Sequence, residues 1–134
     1  MSQFINPFTD EGFKRIFGCE VNKDLLIHFL NQLLVGRYVI EDVTFLNKER
    51  VPEIDDNRVI IYDVFCKTDK KERIVVEMQN APQGFFKKRS VYYISRAISD
   101  QGCSGSQWRY DIKAVIGVFY LILHIVAMLS LRQT

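Results

Sequence analysis

The sequence predicts one α/β domain, built in the order helix, helix, strand, strand, strand, helix, strand. Three observations carry this. Apolar residues recur at helical spacing near the start of the chain and again over residues 85–101. Between and after them lie apolar runs of strand length. Turn-forming residues separate the segments. A length of 134 residues suits a single domain, and 48% hydrophobic residues supply a core. Charged residues make up 25%, close to the globular average, which argues against disorder. A net charge of +2 is too small to argue for a nucleic-acid partner by itself. Any such argument rests on where the charge sits.

Thr9 or Asp10 can cap the first helix, which shows Phe13, Ile16 and Phe17 on one side and stops at Gly18. Asn22 caps the second. Leu25, Leu26, Phe29, Leu30, Leu33 and Leu34 form its apolar stripe, and Gly36 ends it. His28 falls off that stripe and reads as a solvated or edge histidine. A strand follows over residues 38–47. Residues 48–58, acid-rich and broken by Pro52, read as a loop. Two apolar runs come next, at residues 59–66 and 74–79. A turn, "NAPQG", leads to the helix at 85–101, and a last strand occupies 112–120.

The three cysteines, Cys19, Cys66 and Cys103, contain no CxxC pair, and the two histidines lie far apart. A zinc site from these residues is not expected. Unpaired cysteines, with a first segment that lacks a basic region and an apolar core, lead us to expect a cytoplasmic location.

The two central runs hold the first chemical signal. Each carries one carboxylate where a strand would normally place another apolar residue. Alternation puts Ile61, Asp63 and Phe65 on one face, and Val75, Glu77 and Gln79 on one face. If the runs form an antiparallel hairpin pairing residues whose numbers sum to 140, Asp63 lies opposite Glu77. That register needs an odd-length loop, such as Asp69 to Lys71; an even loop would send the acids to opposite faces. Like charges directly opposite are destabilising. A divalent cation removes the conflict, since Mg²⁺ is commonly held by one or two carboxylates with water and phosphate oxygens. Gln79 would point into the same place and could orient a water. The same residues also suit a solvated polar face, with Lys67 or Arg73 as partners.

The helix that follows holds the second signal. Phe85, Arg89, Tyr92 and Arg96 fall within about 60° of one another on a helical wheel. Val91, Ile94 and Ile98 cluster elsewhere, as a core face. Between residues 85 and 96 stand Lys87, Lys88, Arg89 and Arg96, and no acid. Basic residues interleaved with aromatics suit a phosphate backbone and exposed bases, though an ordinary amphipathic helix has the same pattern.

Five segments, "PFTDEGFKRIFG", "NKDLLIHFLNQLL", "DVFC", "VVEMQN" and "FFKKRSVYYISRAISDQ", occur in an order that resembles the PD-(D/E)XK nuclease family transposases, relatives of the recombination-promoting nucleases of bacteria. The resemblance covers about residues 5–119. It implies a restriction-endonuclease-like core, a mixed central sheet flanked by helices. It implies hydrolysis of DNA phosphodiesters dependent on Mg²⁺, or on Mn²⁺ in its place. Asp63 then corresponds to the metal-binding aspartate and Glu77 to the second acid. Gln79 stands where many nucleases of the superfamily have Lys, as is common in this branch. Gln can only hydrogen-bond, so a modest rate is expected. Arg89 and Tyr92 match the helix after the motif, which would support the site or touch DNA together with Lys87, Lys88 and Arg96. Asp10 matches an N-terminal acid of no assigned role.

The resemblance divides the chain at 120. Residues 1–120 read as the nuclease-like core, and 121–134 as an apolar tail unlike the family. Residues 114–131 are 18 residues with His124 as the one strongly polar member. If 112–120 is a strand, too few remain to span a bilayer, so a membrane partner is not expected. The tail is expected to be a helix packed on the sheet, a surface for homo-oligomers, or sequence from an altered frame. The expected function is a Mg²⁺-dependent DNA endonuclease of transposition or recombination; the alternative is an inactive truncated remnant that keeps the fold and weak DNA binding.

Overall fold

A computed structural model describes residues 4–7, 9–50, 60–79, 84–121 and 124–130. Helix α1 spans Asp10–Phe17 and α2 spans Lys23–Leu33, joined by a short 3₁₀ turn at Glu20–Asn22. Strands β1 (Val43–Phe45), β2 (Glu49–Arg50), β3 (Ile60–Ile61), β4 (Val64–Thr68) and β5 (Arg73–Gln79) precede α3 (Phe86–Ser99). Strands β6 (Val115–Leu121) and β7 (His124–Ser130) follow it. Local chemistry sets the helix ends. The Thr9 hydroxyl accepts from the Gly12 N–H at 3.0 Å, capping α1, and the Gly18 N–H closes it on the Lys14 carbonyl.

The main sheet has the order β1-β4-β5-β6-β7. All neighbours are antiparallel except β5 and β6, which run parallel. A parallel pair needs a long crossover, and α3 lies within it. Mixed pairing with helices on both faces is consistent with a restriction-endonuclease-like core. β2 and β3 form a separate two-stranded ribbon.

Strand alternation sorts the core into two halves. Ile74, Val76 and Met78 of β5 join Val64, Cys66, Ile116 and Val118 beneath Phe13 of α1, Leu26 and Leu30 of α2, and Leu34 just past its end. On the other face Val75, Phe65, Val115 and Phe119 pack against Phe86, Ile94 and Ala97 of α3. β5 is therefore buried on both faces, which is why its sequence reads as a nearly unbroken apolar run.

Several expectations change here. Strand β1 is shorter than residues 38–47. Residues 49–50, expected in a loop, are β2, while 51–59 lie outside the described residues. Leu25, expected on the α2 stripe, is 51% exposed, and Val91, expected in the core, is 56% exposed. The buried side of α3 is instead Phe86, Ser90, Ile94 and Ala97. Residues 124–130, set apart above as a tail, form a strand antiparallel to β6. Among the described residues, no helix is long and apolar enough to cross a membrane.

Candidate active site

The β4–β5 hairpin sets the geometry. Its pairs are Val64↔Val76, Phe65↔Val75, Cys66↔Ile74 and Lys67↔Arg73, so paired numbers sum to 140 as the hairpin argument requires. The loop is Asp69 to Lys71. Lys71 takes φ 66°, the left-handed residue that closes three-residue hairpin loops. Thr68 and Glu72 bracket it, with the Thr68 N–H donating to the Glu72 carbonyl at 2.9 Å.

Val64↔Val76 is the last pair. Beyond it the chain turns away, and the Tyr62 N–H donates to the Lys48 carbonyl at 3.0 Å, outside the hairpin. β5 continues alone on that side to Gln79. The backbone groups exposed by the split still need partners, and the two acids provide them. The Met78 N–H donates to Asp63 Oδ2 at 2.9 Å, and the Asp63 N–H donates to Glu77 Oε1 at 2.8 Å. Each carboxylate is thus fixed by the backbone of the opposite strand. Asp63 is 8% exposed and Glu77 5%.

Burial disfavours charge on Glu77, and the neighbouring Asp63 charge adds to this. The Asp63 N–H, Arg89 and Lys14 act the other way. The balance pushes Glu77 up to about 8. The site therefore favours a proton or a cation on this pair at neutral pH. Beyond its bond from Asp63, the Glu77 carboxyl accepts no other hydrogen bond from the described residues. Two buried hard-oxygen groups, one with spare acceptor capacity, suit Mg²⁺ or Mn²⁺ better than zinc. Among the described residues no three His, Cys, Asp or Glu side chains gather.

Helices supply the cations. Phe13 anchors α1 in the core, and the next residue, Lys14, reaches Asp63 Oδ1 with Nζ at 3.4 Å. The carboxylate argument named Lys67 and Arg73 as partners for the acids; the guanidinium of Arg73 instead donates to the Lys71 carbonyl at 2.8 Å. Lys14 carries no local signal, because its contact depends on how α1 crosses the sheet. From α3, Arg89 Nη2 donates to Gln79 Oε1 at 2.7 Å, with its guanidinium 5.3 Å from the Phe86 ring and 5.8 Å from the Tyr93 ring. Arginine only donates, so the Gln79 oxygen must face it and the Gln79 NH₂ faces away. Tyr93 in turn is pushed above its ordinary range, by burial first and then by Glu77. The Tyr62 hydroxyl donates to the Tyr93 carbonyl at 3.1 Å, tying the departing strand to α3.

The structure thus gathers Asp63, Glu77, Gln79 and Arg89, and adds Lys14. The other α3 residues named above stand apart. Lys87, Lys88 and Tyr92 are exposed on the helix surface, and Arg96 forms a 3.0 Å ion pair with Asp100. The sequence model of the PD-(D/E)XK nuclease family transposases matches residues 7–126 of the chain. The chain belongs to that family. The match to the PD-(D/E)XK nuclease family transposases spans α1 through β6 and runs into β7. Neither a curated protein nor a solved structure matches the chain at a significant level.

Proposed function

We propose that this protein is a Mg²⁺-dependent DNA endonuclease associated with transposition or recombination, hydrolysing phosphodiester bonds. The observation that supports it best is the Asp63–Glu77 pair, buried at a split in the sheet of a nuclease-family chain and locked by reciprocal backbone bonds. Asp63 and Glu77 would hold Mg²⁺, with Mn²⁺ able to substitute; the ion would supply charge stabilisation on the phosphate and a more acidic water.

The protein's own groups do the rest. Gln79 is held by Arg89 through its side-chain oxygen, which leaves its NH₂ to donate to a water or phosphate oxygen in this reading. Lys87, Lys88 and Tyr92, exposed on the same helix, offer charge and an aromatic face to a DNA strand. The buried surroundings of the acids strengthen each polar contact.

The test is nicking of supercoiled plasmid by purified protein in Mg²⁺ or Mn²⁺, beside Asp63→Asn and Glu77→Gln variants whose folding is checked by circular dichroism. Wild-type nicking with a loss of about 10³-fold or more in both variants is expected. Nicking that persists in folded Asp63→Asn would overturn the assignment.

A further inference from the structure

We infer that Lys14 is a catalytic residue, supplying from α1 the positive charge beside the carboxylate pair that the neutral Gln79 cannot supply. The inference rests on the nuclease reading above and adds a residue to it.

Three observations carry it. First, Lys14 lies at the pair itself, 3.4 Å from Asp63 Oδ1, with its side chain 38% exposed and so able to meet both the buried acids and a substrate. Second, local acids do not claim it. Within α1, Glu11 pairs with Arg15, at 4.0 Å, and Asp63 is the ion partner of Lys14 among the described residues. Third, the nearest alternatives are committed. Gln79 is uncharged and its oxygen is bound to Arg89, while Arg89 is held between that bond and two aromatic rings.

In the hydrolysis, a water oxygen bonds to phosphorus as the ester P–O bond breaks. The water surrenders one proton, and the departing oxygen takes one up. Negative charge grows on the phosphoryl oxygens meanwhile. Lys14 transfers no proton in this scheme. Its ammonium donates to the attacking or phosphoryl oxygen and offsets that growing charge. A lysine stem anchored by its neighbour Phe13 can make the small shift from Asp63 to a phosphate without moving the helix.

The test compares wild type, Lys14→Met and Lys14→Arg by Mn²⁺ binding in calorimetry, by thermal unfolding, and by single-turnover plasmid nicking at saturating Mn²⁺. Removing a cation from the pair should tighten Mn²⁺ binding severalfold in Lys14→Met, while nicking falls about 100-fold. Lys14→Arg should keep part of the rate. Tighter metal with slower cleavage separates this role from structural damage, which would weaken both. Nicking by Lys14→Met at the wild-type rate would overturn the inference and leave the nuclease reading intact. So would an equal rate loss in Lys14→Arg and Lys14→Met. Looser Mn²⁺ binding together with a lowered melting temperature would also overturn it. A wild-type protein that leaves plasmid intact in both metals would overturn the nuclease reading, and this role with it.

Discussion

The main-chain N–H of Asp63 donates to Oε1 of Glu77 while the Met78 N–H donates to Asp63 Oδ2, so each carboxylate of the pair is held by the segment it faces. The pair's charge is then a matter of pH. Glu77 lies near 4.5 when unfolded and is pushed up to about 8 when folded, chiefly by burial and then by Asp63. Below 4.5 both states hold the proton, and the contribution to stability is complete. Between 4.5 and about 8 the unfolded chain has lost a proton that the folded chain keeps. Stability therefore falls as pH rises through this window, by at most about 1.4 kcal/mol per pH unit. Melting temperatures in chelator should decline from pH 5 to 8.5 for wild type, and less steeply for Glu77→Gln. Mn²⁺ should restore stability most at the alkaline end, since binding displaces the proton.

Arg89 joins Gln79 to the aromatic surface of α3. Arg89→Met should slow nicking about 10- to 100-fold, as loss of an orienting partner commonly does. Arg89→Lys should not restore the rate. A lysine cannot lie flat over Phe86 and Tyr93 while donating to Gln79. Equal rates for Arg89→Lys and wild type, in the same plasmid assay, would contradict this.

Gly117 sits directly beneath Ile94 of α3. A Cβ there would sit 2.5 Å from both Ile94 Cδ1 and Phe119 Cε2, on the face that also packs Ala97. Gly117→Ala should cost about 1–3 kcal/mol, read as a lower urea midpoint. Gly84 has open space around its Cβ position, so Gly84→Ala should stay within about 0.5 kcal/mol.

Thiol labelling checks the packing independently. Cys66 is buried in the sheet, and burial pushes its thiol up to about 12; Cys103 is exposed. A maleimide at neutral pH should modify Cys103 rapidly and leave Cys66 unmodified until denaturant is added. Labelling of Cys66 in the native protein at a rate near that of Cys103 would contradict the sheet packing.

The hairpin was legible in part because alternation is strict: if Asp63 and Glu77 share a face, the pairing sum is even and the loop odd, and the observed sum of 140 meets that condition. The packing side of α3 was less legible. Ser90 and Ala97 are buried there, and small residues carry little hydrophobic signal. Val91 looked like core and faces out. β7 was hidden for another reason. A continuous apolar run reads alike as strand, buried helix or tail, and its partner β6 decides between them. Lys14 was hidden because its contact with Asp63 is made entirely in three dimensions.

The split hairpin also has a temporal consequence. Both acids belong to one hairpin with a three-residue loop, an element of the kind that closes in microseconds. Their counter-charges arrive by slower routes: Arg89 when the α3 crossover docks beside the parallel β5–β6 pair, and Lys14 when α1 settles across the sheet. Non-local parallel pairing is the slow part of such topologies. On this ordering the two carboxylates should meet before either cation does during refolding. A divalent ion or a proton present in that interval should accelerate folding as well as stabilise its product.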